Sequence, residues 1–128
     1  MSRIRTRMMI ESDYDNLTTA VSFPFPGKDS VILSKDIHSQ QEKFSEKAEN
    51  AQFDQDKESY GKAALVCKFG EHCGATLKSL CVKEGMIYFV LSFPILEHLI
   101  EFEQGASINI DGLVPPEEAV EQTGGIRM

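Results

Sequence analysis

The sequence lacks the features of membrane-spanning and secreted proteins. Its longest apolar run, Met86 to Phe93, is interrupted by Ser92 and is far shorter than the roughly 18 residues of a transmembrane helix. Residues 1–10 carry arginines but no apolar stretch and no small-residue cleavage site, unlike a signal peptide. Three cysteines, an odd number, disfavour a disulfide framework. We therefore expect a soluble cytoplasmic protein with no membrane partner.

Familiar catalytic motifs are missing as well. The sequence contains no Walker loop, no GxGxxG, no HExxH and no GxSxG, which are the patterns that cradle phosphates, hold zinc or present a serine nucleophile. We expect no cofactor, and the sequence favours a non-catalytic protein over an enzyme.

Basic residues are few relative to acidic ones. Lysine and arginine total 13, aspartate and glutamate total 20, and the formal net charge is −7. An acidic surface repels the phosphates of nucleic acids, so no nucleic-acid partner is expected.

Length and composition suit one globular domain. The 128 residues are 41% hydrophobic and 26% charged, which is enough apolar material for one core. We predict a single domain over residues 1–112. Residues 113–128 contain Pro115-Pro116, three glutamates and a glycine pair, and this composition predicts a flexible acidic tail.

Period-two alternation and β-branched runs predict the strands. One lies within residues 1–10, followed by turn-forming residues 11–16. The others are predicted at 17–23, 30–34, 63–69, 75–82, 86–93 and 107–110. The best hairpin joins 75–82 to 86–93 through Lys83-Glu84-Gly85.

Two helices are predicted. A polar one over 39–52 starts with a capping box of Ser39 and Glu42, and residues 53–61 follow as a loop. An amphipathic one over 94–104 packs through Ile95, Leu99 and Phe102, and Gly105 ends it.

These elements predict an α+β fold. Its centre is a mostly antiparallel sheet, or a small half-open β-barrel, made of five to six of these seven candidate strands. The helix at about 94–104 packs on the sheet, and the polar helix at about 39–52 is peripheral.

The stretch around Cys73 is the candidate for chemistry. Cys73 lies between glycines and next to His72, so it could be a nucleophile in a loop, with His38 or His98 as other bases. A zinc site would use Cys67, His72, Cys73 and Cys81, but no CxxC pair supports it. The alternative is that the cysteines are small core residues and a loop thiol, and we expect no metal.

Three arginines form the second candidate. Arg3, Arg5 and Arg7 would share one face of a strand, and their planar donors suit phosphate or carboxylate. The chain could thus be a receptor domain for an anionic, nucleotide-like small ligand.

Our first hypothesis is a non-catalytic binding, regulatory or adaptor module that acts through protein–protein contacts as a homodimer. Phe23, Phe25 and the run 8–10 are apolar residues near breaks and ends, where two copies could meet. The interface should be chiefly apolar, with the acidic segments 97–103 and 117–121 outside it. A receptor using the arginines and an enzyme centred on Cys73 are the alternatives.

Overall fold

Among the described residues, two β-hairpins are separated by a helical hairpin and followed by a third helix. The structure, a computed structural model, describes residues 8–25 and 36–110. The predicted strand 30–34, the predicted tail 113–128 and the three arginines lie outside these residues. The elements are β1 (Met9–Asp13), β2 (Thr18–Pro24), α1 (Ile37–Asn50), α2 (Asp54–His72), β3 (Thr76–Lys83), β4 (Met86–Ser92) and α3 (Leu96–Asn109).

The first hairpin pairs β1 with β2 in antiparallel register. Its turn is held by Asp13, whose carboxylate accepts hydrogen bonds from the backbone of Asp15 and from both the backbone and the side chain of Asn16. The predicted turn at 11–16 therefore lies at 14–17, because β1 continues to Asp13.

Helix α1 is not peripheral as predicted. Asp36 caps it by accepting from the backbone N–H of Ser39, so the capping residue precedes the predicted one. Phe44 is 2% exposed, and its ring meets those of Phe25 and Phe89 with centroids 6.4 and 6.1 Å away. Ile37, the first residue of α1, is also buried in the core, so two apolar side chains anchor an otherwise polar helix.

Helix α2 replaces the predicted loop 53–61 and the predicted strand 63–69. The run Ala63 to Phe69 is nearly all apolar because α2 is covered on several sides, and such a run does not distinguish a buried helix from a strand. Asp54 and Asp56 lie in its first turn, where negative charge stabilises the helix by interacting favourably with the helix dipole.

The second hairpin confirms the predicted one. Glu84 and Gly85 occupy its turn with φ of 52° and 77°, the left-handed conformation of a two-residue hairpin turn. β3 carries an irregularity between Leu77 and Ser79, where Lys78 is the extra residue of a bulge.

Helix α3 is longer than predicted and absorbs the predicted strand 107–110. Gly105 does not end it; a Cβ there would lie 3.6 Å from the ring of Phe69, so the glycine marks where α3 comes close to α2. Leu99 and Phe102 are fully buried as predicted, but Ile95 is 44% exposed.

The sheet is open and antiparallel, with strand order β1-β2-β4-β3. This confirms the predicted α+β class, with four strands and three helices among the described residues rather than five to six strands and two helices. One sheet face carries the buried residues of the strands, including Val21, Phe23, Ile87, Phe89 and Leu91. The helices cover this face, which we call the inner face.

Contacts from each helix identify the inner face. Phe44 of α1 reaches Phe89, and a Cβ on Gly70 of α2 would lie 3.2 Å from Leu91. Glu103 of α3 accepts a hydrogen bond from Ser12, the cross-strand partner of buried Thr19. None of the described helices is long and apolar enough to cross a membrane.

Candidate functional site

The side of the sheet opposite the helices has no covering layer among the described residues. Because side chains alternate along a strand, the residues between the inner ones point to this side. We call it the open face; it comprises Met9, Glu11, Asp13, Thr18, Ala20, Ser22, Pro24, Thr76, Lys78, Ser79, Cys81, Lys83, Met86, Tyr88, Val90 and Ser92.

Strand β4 is apolar on both sides. Ile87, Phe89 and Leu91 are fully buried on the inner face, whereas Met86, Tyr88 and Val90 are partly exposed on the open face. A strand that is apolar on both sides is typical of a sheet covered on both faces. Here the helices cover one.

In the middle of the open face, side chains of different size are paired in a regular way. β2 presents small side chains, and each is paired with a β4 residue: Ala20 with Val90, Ser22 with Tyr88, Thr18 with Ser92 and Pro24 with Met86. In most of these pairs the β4 side chain is the larger one, so β4 protrudes further from the open face than β2 does.

The two edges of the open face carry opposite charge. Glu11 and Asp13 lie on β1, and hydrogen bonds from the side chain and backbone of Asn16 lower the pKa of Asp13, which keeps it ionised. Lys78 and Lys83 lie on β3. Leu77 and Leu80 pack inward, so the bulge leaves Lys78 and Ser79 together on the outer side; the Lys83 ammonium lies 5.9 Å from the centroid of the Tyr88 ring.

The edge strands themselves are poor sites for strand addition. The bulge and two lysines on β3 are features that prevent edge pairing. β1 has five residues, and Ser12 and Tyr14 at its end donate hydrogen bonds to Glu103 of α3. Association through an edge is therefore disfavoured relative to association through the open face.

The apolar residues singled out for self-association lie mostly elsewhere. Phe23 is completely buried and Phe25 is 1% exposed, so neither is available to a partner. Met8 and Ile10 pack against the core. Met9 is 52% exposed and belongs to the open face.

The candidate nucleophile Cys73 is buried at the end of α2. Burial, together with the charge of Glu101, raises the pKa of its thiol to about 12, whereas a reactive cysteine needs a lowered pKa. His72 is exposed in the last helical turn. A Cβ on Gly74 would lie 3.4 Å from Nδ1 of His98, so His98 lies beside the Cys73 turn, whereas Nδ1 of His38 lies 3.1 Å from the Glu71 carboxylate.

The residues of the candidate zinc site are dispersed. Cys67 is buried within α2, and burial raises the pKa of its thiol to about 12; Cys81 points outward from β3 and is exposed. Within residues 8–25 and 36–110, no three histidine, cysteine or carboxylate side chains are grouped as metal ligands would be. The anion site of Arg3, Arg5 and Arg7 lies outside the described residues and stays a prediction.

Two smaller features are also exposed. Ile95, Leu96 and Ile100 form an apolar patch at the start of α3, 36–44% exposed. A groove of about 540 Å³ beside α1 is lined by Lys43, Phe44, Lys47, Asp56 and Tyr60, among others. Its lining mixes both charges with two aromatic rings and converges on no single ligand type.

Comparison of the chain with protein-family models, with curated proteins and with solved structures gives no match. The geometry of the open face is therefore the basis for inferring a function.

The open face was not predicted from the sequence, although one signal of it is present there. The segment Met86–Ser92 is apolar at six of seven positions. Such a run indicates burial on both sides of a strand, and the three helices supply cover for one.

Proposed function

We propose that this protein is a non-catalytic interaction module that acts through protein–protein contacts on the open face and forms a homodimer through it. The observation that carries the proposal is the outward row Met86, Tyr88 and Val90 on a central strand, with no helix over it among the described residues. A contiguous exposed apolar patch on a soluble domain marks an interaction site. Two-fold dimers are the commonest way to cover one.

The polar surroundings support an interface rather than a misplaced core. Glu11, Asp13, Lys78 and Lys83 lie at the two edges, and small or apolar side chains fill the centre. Interfaces between proteins have this arrangement, with a dry apolar centre and a charged rim. The acidic α3 segment 97–103 lies on the opposite side of the sheet, so the proposed contact does not bring these carboxylates of two copies together.

A pair of matched substitutions tests the proposal. Val90→Lys places a charge at the centre of the open face, where a partner would bury it without a counter-charge. Ile100→Lys makes a comparable change at an exposed apolar residue on the α3 patch. Both variants are first checked by circular dichroism for a native fold.

The readout is the molar mass measured by light scattering during size-exclusion chromatography. We expect Val90→Lys to weaken dimerisation at least roughly tenfold, since a buried unpaired charge costs several kcal/mol, and Ile100→Lys to leave it unchanged. The reverse pattern would move the interface to α3 and contradict the proposal. A monomeric wild type would contradict it outright.

A further inference from the structure

The side-chain sizes and the charges on the open face determine the orientation in which two copies would pack together. We propose that the dimer's two-fold axis runs parallel to the strands, between β2 and β4, so that β2 of each copy lies on β4 of the other. This arrangement rests on the proposed function, because it describes the geometry of that dimer.

Symmetry leaves two simple choices for a face-to-face pair. The axis lies in the plane between the sheets and runs along the strands or across them. Rotation about an axis along the strands leaves the position of each residue along the strand direction unchanged and reverses the order of the strands across the sheet. Each cross-strand row then faces the same row of the partner, with β1 over β3 and β2 over β4.

With the axis along the strands, the larger side chains of each copy face the smaller side chains of the other, so the two open faces are complementary in shape. Val90 of one copy lies over Ala20 of the other, and Tyr88 lies over Ser22, because these residues are cross-strand partners. Larger side chains thus enter the space above smaller ones on both sides of the axis. This interdigitation is how packed sheets fill the roughly 10 Å between them.

The same axis pairs opposite charges. The β1 edge of one copy, with Glu11, lies over the β3 edge of the other, with Lys78. Glu11 and Ser79 are in one cross-strand row through Ala20 and Val90, and Lys78 is adjacent to Ser79. Complementary charges at a rim fix the orientation of partners.

An axis across the strands does the opposite. It sets β4 on β4, so that Tyr88 and Val90 meet side chains of equal bulk, while the small residues of β2 face one another across a gap. It also brings β1 to β1 and β3 to β3, so that like charges meet. Both steric fit and electrostatics therefore favour the axis along the strands.

The size of the face sets the expected strength. The four strands have five, seven, eight and seven residues, a mean of about seven. At about 4.8 Å between strands they span roughly 19 by 24 Å, or about 450 Å². A standard stable interface covers about 800 Å² on each partner. The face is therefore at the small end of specific interfaces, so we expect a weak, reversible dimer.

Cross-linking of full-length protein distinguishes the two axes. Met9 and Cys81 are the outer members of one row, through Ser22 and Tyr88, so the axis along the strands places Met9 of one copy over Cys81 of the other. Cys81 is exposed, whereas Cys67 and Cys73 are buried. Facing sheets lie about 10 Å apart, too far for a direct disulfide, so the reagent is a short bismaleimide.

We expect Met9→Cys protein to shift from the 14.3 kDa chain to twice that mass on a denaturing gel, with residue 9 joined to residue 81 by peptide mapping. Adding Cys81→Ser should remove that link. Linkage of unaltered protein through Cys81 of both copies would overturn the proposed axis along the strands, although the protein would still be a dimer. Protein that sediments as a monomer at every concentration would overturn the proposed function, and the axis with it.

Discussion

Replacing Phe44 by alanine tests whether α1 is part of the core. Phe44 is 2% exposed and contacts two other rings, Phe25 and Phe89. Truncating a buried phenylalanine costs about 3–5 kcal/mol, and each aromatic pair contributes about 0.5–1.5 kcal/mol beyond its buried area. We expect Phe44→Ala to lower the free energy of unfolding by about 4 kcal/mol, a large part of the roughly 6–19 kcal/mol typical of a chain this long.

The assay is urea unfolding followed by circular dichroism at one fixed protein concentration. With a slope of roughly 2 kcal/mol per molar urea, the midpoint should fall by about 2 M. Phe53→Ala is the matched control, since Phe53 follows α1 in the same helical hairpin and is 67% exposed; its midpoint should change little. A loss below about 1 kcal/mol for Phe44→Ala would show that α1 is peripheral after all.

The other predictions concern the interface, the pH dependence and α3. Glu11→Lys and Lys78→Glu should each weaken dimerisation roughly 2- to 30-fold, since each substitution alters two symmetry-related charge pairs. The double variant that carries both reversals should dimerise as the wild type does. If sedimentation equilibrium shows no such rescue, the pairing of Glu11 with Lys78 is contradicted. The pKa of His38 is raised, first by its hydrogen bond to Glu71, so its stabilisation is complete below pH 6.5 and disappears as pH rises through the folded pKa. Urea unfolding should therefore separate His38→Asn from wild type at pH 5.5 and not at pH 9, and equal differences at both would refute this. Leu99→Ala should cost about 2–4 kcal/mol, because Leu99 is fully buried; a change within about 0.5 kcal/mol of zero would show that this side of α3 is not core.

Elements whose signals are local were predictable from the sequence. The hairpin around Glu84 and Gly85 follows from a turn dipeptide between two apolar runs. The amphipathic helix follows from the spacing of Leu99 and Phe102. Its end did not follow, because Gly105 serves close packing against Phe69 rather than termination.

Helix α2 was not predictable from periodicity. An amphipathic helix shows one apolar stripe, but α2 packs against α1, α3 and the sheet, so its apolar residues surround it. Cys67 and Val66 are both fully buried although they are adjacent. Continuous apolarity is then a consequence of tertiary position, which a short sequence window does not contain.

The candidate site could not be located from the sequence. The sequence led us to expect an apolar contact surface that includes Phe23 and Phe25, but both residues are buried in the core. Which side of β4 the described helices cover depends on where they pack, and contacts such as that of Phe44 with Phe89 decide this. Of the residues expected at the contact, Met9 alone lies on the open face.

The most direct test of the account is sedimentation equilibrium of the full chain over a series of micromolar concentrations. A reversible homodimer predicts an apparent mass that rises with concentration from 14.3 kDa toward twice that value, and that stays near 14.3 kDa for Val90→Lys. A wild-type mass of 14.3 kDa throughout the series would contradict the claim that the open face joins two copies.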